Sequence, residues 1–275
     1  MGEYSDMLKA FLKETNYTKE MLKLGATEIR KANYALKGVY YEAFTCLSTG
    51  IERIGKLCLI LDYYIDNSGE LPSLKYLKQD FRHDLLKLYE KSKEIALKHN
   101  VSFDFMDDLD DEVYQRILKV LSDFAKGDRY SNLNVLLGEK DQSDPIYSWY
   151  KDVDEYIFDN YVSLKKKEMI HNNAKAIDEL ISNFIMVRHI SETGEVLREV
   201  EKASFETGKN EAVAPKRQLF MLQIIRYWVE LIKNLGDKAR DINQNELMIP
   251  YFGEIFGGFY NSDSYFKSRK TWNDI

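Results

Sequence analysis

Between Tyr34 and Ile65 the apolar positions Leu36, Tyr40, Ala43, Leu47, Ile51, Ile54, Cys58, Leu61 and Ile65 recur at steps of three and four. That period predicts one long helix with a single core-facing stripe. At ~1.5 Å per residue the helix spans about 45 Å, long enough to be the mast of a bundle. Ala43, Ser48, Gly50 and Gly55 are small. Each glycine inside a helix costs on the order of 1 kcal/mol relative to alanine, and close approach of a neighbouring helix is the expected compensation. Glu52, Arg53 and Lys56 interrupt the most apolar part of the stripe, with Glu52 and Lys56 in the favourable i, i+4 order. They read either as a functional patch or as an exposed ion-paired strip.

The same period extends over most of the chain. Met7, Leu8, Phe11, Leu12, Met21, Leu22 and Leu24 predict an amphipathic first helix ending at Gly25. Asp66-Asn67-Ser68-Gly69 is a turn, and Pro72-Ser73 opens a second core-facing helix through Leu74, Leu77, Phe81, Leu85, Leu88, Ser92 and Ile95, with a break allowed at Asp80 to His83. The short connection predicts that this helix lies antiparallel to the mast. The acidic run Asp107 to Glu112 reads as a helix start rather than a metal site, because it precedes Val113, Ile117, Val120, Leu121 and Phe124 and fits no cation loop. Gly127 closes that helix, and Asp128 to Asn134 follows as a loop or helix entry.

The polar stretch Glu139 to Pro145 is the candidate boundary, giving a bundle over 1–138 and a helical extension over 146–275, or one continuous domain. In the extension, Ile146, Tyr150, Val153, Ile157, Tyr161 and Leu164 keep helical spacing, which Ile177, Leu180, Ile181, Phe184 and Val187 resume. Lys165, Lys166 and Lys167 sit between them as a solvated face or a contact for phosphate. Residues 190–214 show no sustained period and read as a long loop or hairpin. Pro215 then suits the first turn of a helix carrying Leu219, Leu222, Ile225, Trp228, Val229 and Ile232 as far as Gly236. The aromatic end of the chain, Tyr251 to Phe266, is expected to pack back onto the bundle, with a dimer seam or base stacking as the other uses.

Composition narrows the class. A hydrophobic fraction of 44% with only four prolines suits a helix-rich globule and excludes a disordered chain. No apolar run approaches ~18 residues and the charged start lacks the apolar core of a secretion signal, so no membrane span and a cytoplasmic location are expected. Cys46 and Cys58 are the only cysteines, too few for a zinc site and too far apart on one helix for a disulfide. No metal or cofactor is expected. A net charge of −6 does not advertise a polyanion binder, though a local basic groove is compatible with it.

Three pieces then line up in order: Ile51-Glu52-Arg53-Ile54-Gly55-Lys56 in the long helix, His83-Asp84-Leu85-Leu86-Lys87-Leu88 on a following one, and Arg129-Tyr130 after a further helix. Together, over roughly residues 30 to 137, they resemble the HEPN family of small helical bundles. The resemblance implies an all-α, up-and-down HEPN-like bundle with a C-terminal helical extension. It further implies a toxin or antiviral-defence component that cleaves RNA as a metal-independent endoribonuclease and works as a homodimer. Its expected partners are RNA and an antitoxin or defence protein. In such enzymes an arginine holds the scissile phosphate and a histidine moves the proton.

His83 and Arg129 are the catalytic candidates; Glu52, Arg53, Lys56, Asp84, Tyr130, Asn132 and Asn134 are the binding candidates. The chain departs from the family signature, because no arginine is followed by a histidine four to six residues later. Either His83 and Arg129 meet as a rearranged site, or the bundle is a non-catalytic binding and scaffold relative. His83 is equally readable as a capping or buried structural residue, and Arg129 as an ion-pair partner of Glu52 or Asp84.

Overall fold

The computed structural model describes residues 5–79, 82–140, 142–242 and 249–272. The fold is all-α, with one two-stranded hairpin. Helix α1 (Asp6–Lys31) packs along α2 (Lys37–Asp66), which is the long helix read from the sequence, entered through a 3-10 turn at Tyr34–Leu36. The two helices interlock through reciprocal gaps. A Cβ on Gly25 would lie 2.6 Å from Leu47 Cγ, and one on Gly50 would lie 2.6 Å from Leu22 Cδ2. Close approach is therefore what these glycines serve. It also explains why α1 does not stop at Gly25 but runs on to Lys31.

After α2 the chain reverses through α3 (Leu74–Gln79) and enters α4 (Leu85–Lys98). Phe81 and Asp80, expected in the stripe and its break, lie outside the described residues. The expected antiparallel packing of this segment is corrected for α4. The Tyr63 ring meets Tyr76, whereas Glu52 meets His83, Gly55 abuts Leu88 and Asp62 meets His99, so α4 runs in the same sense as α2. Between Tyr76 beside Tyr63 and His83 beside Glu52 the chain has moved back along α2.

Helix α5 (Glu112–Lys126) follows the acidic run, then a 3-10 turn at Asp128–Tyr130 and α6 (Ser131–Leu136). The next segment is built from α7 (Pro145–Trp149), a π-helical turn at Tyr150–Asp154 and α8 (Glu155–Tyr161). Helix α9 (Leu164–Ile181) leads to the antiparallel strands β1 (His189–Ile190) and β2 (Val196–Leu197).

From Val200 to Ile242 a single helix, α10, replaces the expected loop, and Pro215 lies inside it rather than in its first turn. Proline there removes one backbone hydrogen bond. Burial of Ala203, Ala212, Val213 and Ala214 on the same helix offsets that loss. Gly236 is not a terminator either; its missing side chain makes room for Phe252, whose Cδ2 would lie 2.5 Å from a Cβ. The C-terminal aromatics do pack back, through α11 (Phe252–Ile255) and α12 (Asp263–Ser268), with Phe252, Phe256, Phe259, Phe266 and Trp272 buried. One continuous core joins residues from α1 to Trp272. No helix among the described residues is long and apolar enough to cross a membrane.

Candidate functional site

A cleft of about 520 Å³ opens at mid-height of α2, between that helix, α3 and the end of α5. Glu52, Arg53 and Lys56 enter it from α2, His83 from the turn before α4, and Arg129 from the 3-10 turn after α5. These five sequence candidates are thus brought together. Helical spacing puts Ser48 and Thr49 one turn before Glu52 and Arg53 on the same wall, and Glu14 arrives from α1.

Glu52 is the hub. Its side chain is 14% exposed, and its two oxygens take Lys56 and His83 Nδ1, the latter at 2.9 Å. A carboxylate only accepts, so the ring nitrogen facing it is the donor, and in the neutral imidazole the Nε2 lone pair is the basic site. The residue before His83, Arg82, has φ 30 in the left-handed region, a backbone conformation that costs roughly 1–2 kcal/mol. Arg53 donates to Glu14 at 2.5 Å and lies 4.5 Å above the Tyr17 ring. Arg129 lies over the Tyr130 ring at 5.1 Å, and no carboxylate among the described residues pairs with it. Its expected partners are engaged elsewhere.

Three cations against two carboxylates give the lining one net positive charge with a neutral imidazole, on a chain of net charge −6. Of these cations Lys56 pairs with Glu52 itself, and Arg129 lines the same cleft. This donor set suits an anion better than a metal ion.

The other candidates serve different ends. Asp84 caps α4, accepting from Lys87 N at 3.2 Å, and pairs with Lys126 at 2.8 Å. Partial burial alone would raise its pKa, but the hydrogen bonds from Lys126 and the Lys87 backbone hold it below the usual carboxylate range. Asn132 donates to Tyr41 Oη and Asn134 to Gln142, each at 2.8 Å, and Tyr130 stands half exposed beside Arg129. Asp62, Asp66 and His99 bring three ligand-type atoms within 4.8 Å of one another. Lys98 already supplies the positive charge there, donating to Asp62 at 2.7 Å and also pairing with Asp66, so the group is a clamp between α2 and α4.

A second polar centre has no counterpart in the sequence reading. Arg217 of α10 is wholly buried and donates to Asp154 Oδ2 at 2.8 Å, to Tyr40 Oη at 3.3 Å, to Asn210 Oδ1 at 3.1 Å and to the Ala32 carbonyl. Burial pushes the Asp154 carboxyl up, and Arg217 opposes the shift. The Tyr40 hydroxyl in turn donates to Glu192 Oε1 of the hairpin turn at 3.4 Å. This closed centre ties the end of α1, α2, the π-helical turn and α10 together.

Comparison of the chain with models of protein families, with curated proteins and with solved structures finds no match.

Proposed function

We propose that the chain is a HEPN-like protein that acts on RNA as a metal-independent endoribonuclease, in a toxin or antiviral-defence setting. The observation that carries the reading is the 2.9 Å contact of His83 Nδ1 with Glu52 in a cleft that Lys56 and Arg129 also line. In the reaction, His83 Nε2 takes the proton of a ribose 2′-hydroxyl and the 2′-oxygen attacks the adjacent phosphorus. The bond from phosphorus to the 5′-oxygen breaks, leaving a 2′,3′-cyclic phosphate and a 5′-hydroxyl end that takes a proton from the imidazolium or from water. Glu52 holds the reacting tautomer and stabilises the imidazolium. Arg129, without a carboxylate partner among the described residues, and Lys56 meet the charge that gathers on the phosphoryl oxygens.

The test is incubation of the purified protein with RNA in excess chelator. Cleavage to cyclic-phosphate ends is expected, falling by roughly 10²–10⁴-fold in His83→Ala and in Arg129→Ala. Intact RNA, or undiminished cleavage by both variants, refutes the reading. A second reading is a non-catalytic HEPN-like protein that binds a protein or nucleotide partner. It is favoured by the lack of a histidine four to six residues after any arginine, Arg129 being followed at those positions by Leu133, Asn134 and Val135. Binding that is lost in Arg129→Ala with no product formed by the parent protein selects it.

A further inference from the structure

At the C-terminal end of α9 the apolar period continues while burial stops. Leu180 is 72% exposed, Phe184 84%, Ile185 48% and Met186 89%. Scattered exposed apolar residues need no explanation, but these fall within one stretch of seven positions that leads into β1. With Ile177 and Ile181 these residues leave on the order of 700 Å² of whole-residue surface open, against ~300–600 Å² for the largest patch on a typical monomer. It is close to the ~800 Å² that each partner contributes to a stable interface of standard size.

From this surface we infer that a second copy of the chain docks on it, the end of α9 and the segment up to β1 of each protomer facing the same segment of its partner. A two-fold contact sets a surface against itself, so any charge inside it meets its own copy. Leu180 to Val187 contains no charged residue. Two copies therefore bring apolar area together along Leu180 to Val187, with the charged Asp178, Glu179 and Arg188 at its borders, although each copy carries a net charge of −6.

The position in the fold fits an end-to-end contact. The Asp178 carboxylate near the end of α9 accepts from Glu201 N at 3.2 Å, Tyr34 Oη lies 2.9 Å from Thr207 Oγ1, and the Tyr34 ring meets His189 at 5.4 Å. The patch thus sits where α2 and α10 both begin. A further exposed apolar pair, Leu136 and Leu137 at 81% and 83%, lies at the same end, since Asn132 of α6 holds Tyr41 of α2. This inference draws nothing from the catalytic reading, and either can fail alone.

The experiment is sedimentation equilibrium of the full chain, whose protomer mass is 32.3 kDa. Twice that mass is expected for the parent protein. Phe184→Asp with Met186→Asp, which sets two pairs of like charges face to face, should raise the dimer dissociation constant at least about a hundred-fold. Both side chains are exposed, so the melting behaviour of the monomeric variant should match its parent's at equal subunit concentration once dimer linkage is subtracted. Phe184→Ser with Met186→Ser gives the same readout should the aspartates disturb folding. A parent protein that stays monomeric overturns the inference, even if its patch binds lipid vesicles or a different protein. A dimer that persists in both variants overturns it too.

Discussion

Arg217→Met removes the cation from the buried centre while keeping most of the side-chain volume. Asp154, 4% exposed, then faces the interior with its Oδ2 contact at 2.8 Å gone, and Tyr40, Asn210 and the Ala32 carbonyl each lose a donor. Breaking a buried pair by deleting one partner costs about 3–5 kcal/mol, most of it from the charge left behind. At roughly 2–4 °C per kcal/mol for a chain of this size, the melting temperature should fall by on the order of 10 °C. The sign with pH follows from Asp154, whose folded-state pKa is already raised by burial against the opposing field of Arg217. Without Arg217 it rises further, so the variant's deficit should be small where the carboxyl is protonated and grow as pH rises through the folded-state pKa. Adding Asp154→Asn should recover a large part of the loss at neutral pH, since the amide keeps an acceptor for Trp149 Nε1, now 3.1 Å from Oδ1, and carries no charge. Urea unfolding at two pH values measures each step. A single variant as stable as its parent, or a double variant no better than the single, refutes the account of a charge-compensated centre.

Two glycines on neighbouring helices should respond with opposite signs. Gly25→Ala sets a methyl 2.6 Å from Leu47 Cγ and 3.0 Å from its backbone nitrogen, so overpacking outweighs the propensity gain and a net loss of about 1–2 kcal/mol is expected. At Gly38 a Cβ meets nothing within 4 Å, and Gly38→Ala should stabilise by up to ~1 kcal/mol; equal signs in denaturant unfolding would contradict the packing. Burial raises the thiol pKa of Cys46 to about 11 and pushes that of Cys58 well up. Both should react slowly with a disulfide reagent at pH 8 in the native protein and rapidly in denaturant, and fast native labelling of both would be the opposite result.

The mast helix was legible because a three-and-four period repeated over eight turns has few other readings, and its polar interruption marked the wall of the cleft. Gly25 and Gly236 show the limit. A glycine that ends a helix and a glycine that admits a neighbour's side chain look alike along the chain, and only Leu47 and Phe252 distinguish them. Pro215 was misplaced for a similar reason, since its cost is offset by partners remote in sequence. Ser48 and Thr49 were within reach of the helical spacing. Glu14 and Arg217 were not, because each acquires its meaning from contacts between helices. The period over Ile177 to Phe184 marks an apolar face, but period says nothing about whether the covering surface lies in the same chain.

The cleft and the apolar end occupy different levels of α2. From Lys37, beside the hairpin through its bond to the Ser191 carbonyl at 2.7 Å, to Glu52 the helix rises about 20 Å. A second copy seated on the end of α9 therefore leaves the cleft open, and His83, Glu52 and Arg129 are all furnished by one chain. This differs from a composite centre in which each protomer supplies part of the chemistry. The two arrangements separate in a mixing experiment. Glu52→Gln removes the charge that holds His83, and Arg129→Ala removes the guanidinium; each variant alone should lose RNA cleavage, or RNA binding where the parent only binds. Mixed and re-equilibrated, variants of a single-chain cleft remain inactive, because no protomer in any dimer holds both groups. A composite centre would regain about a quarter to a half of the parent's activity, since half of the random dimers pair complementary chains. Recovery on mixing would place the catalytic groups across the interface and move the contact between copies from the end of α9 to the mouth of the cleft.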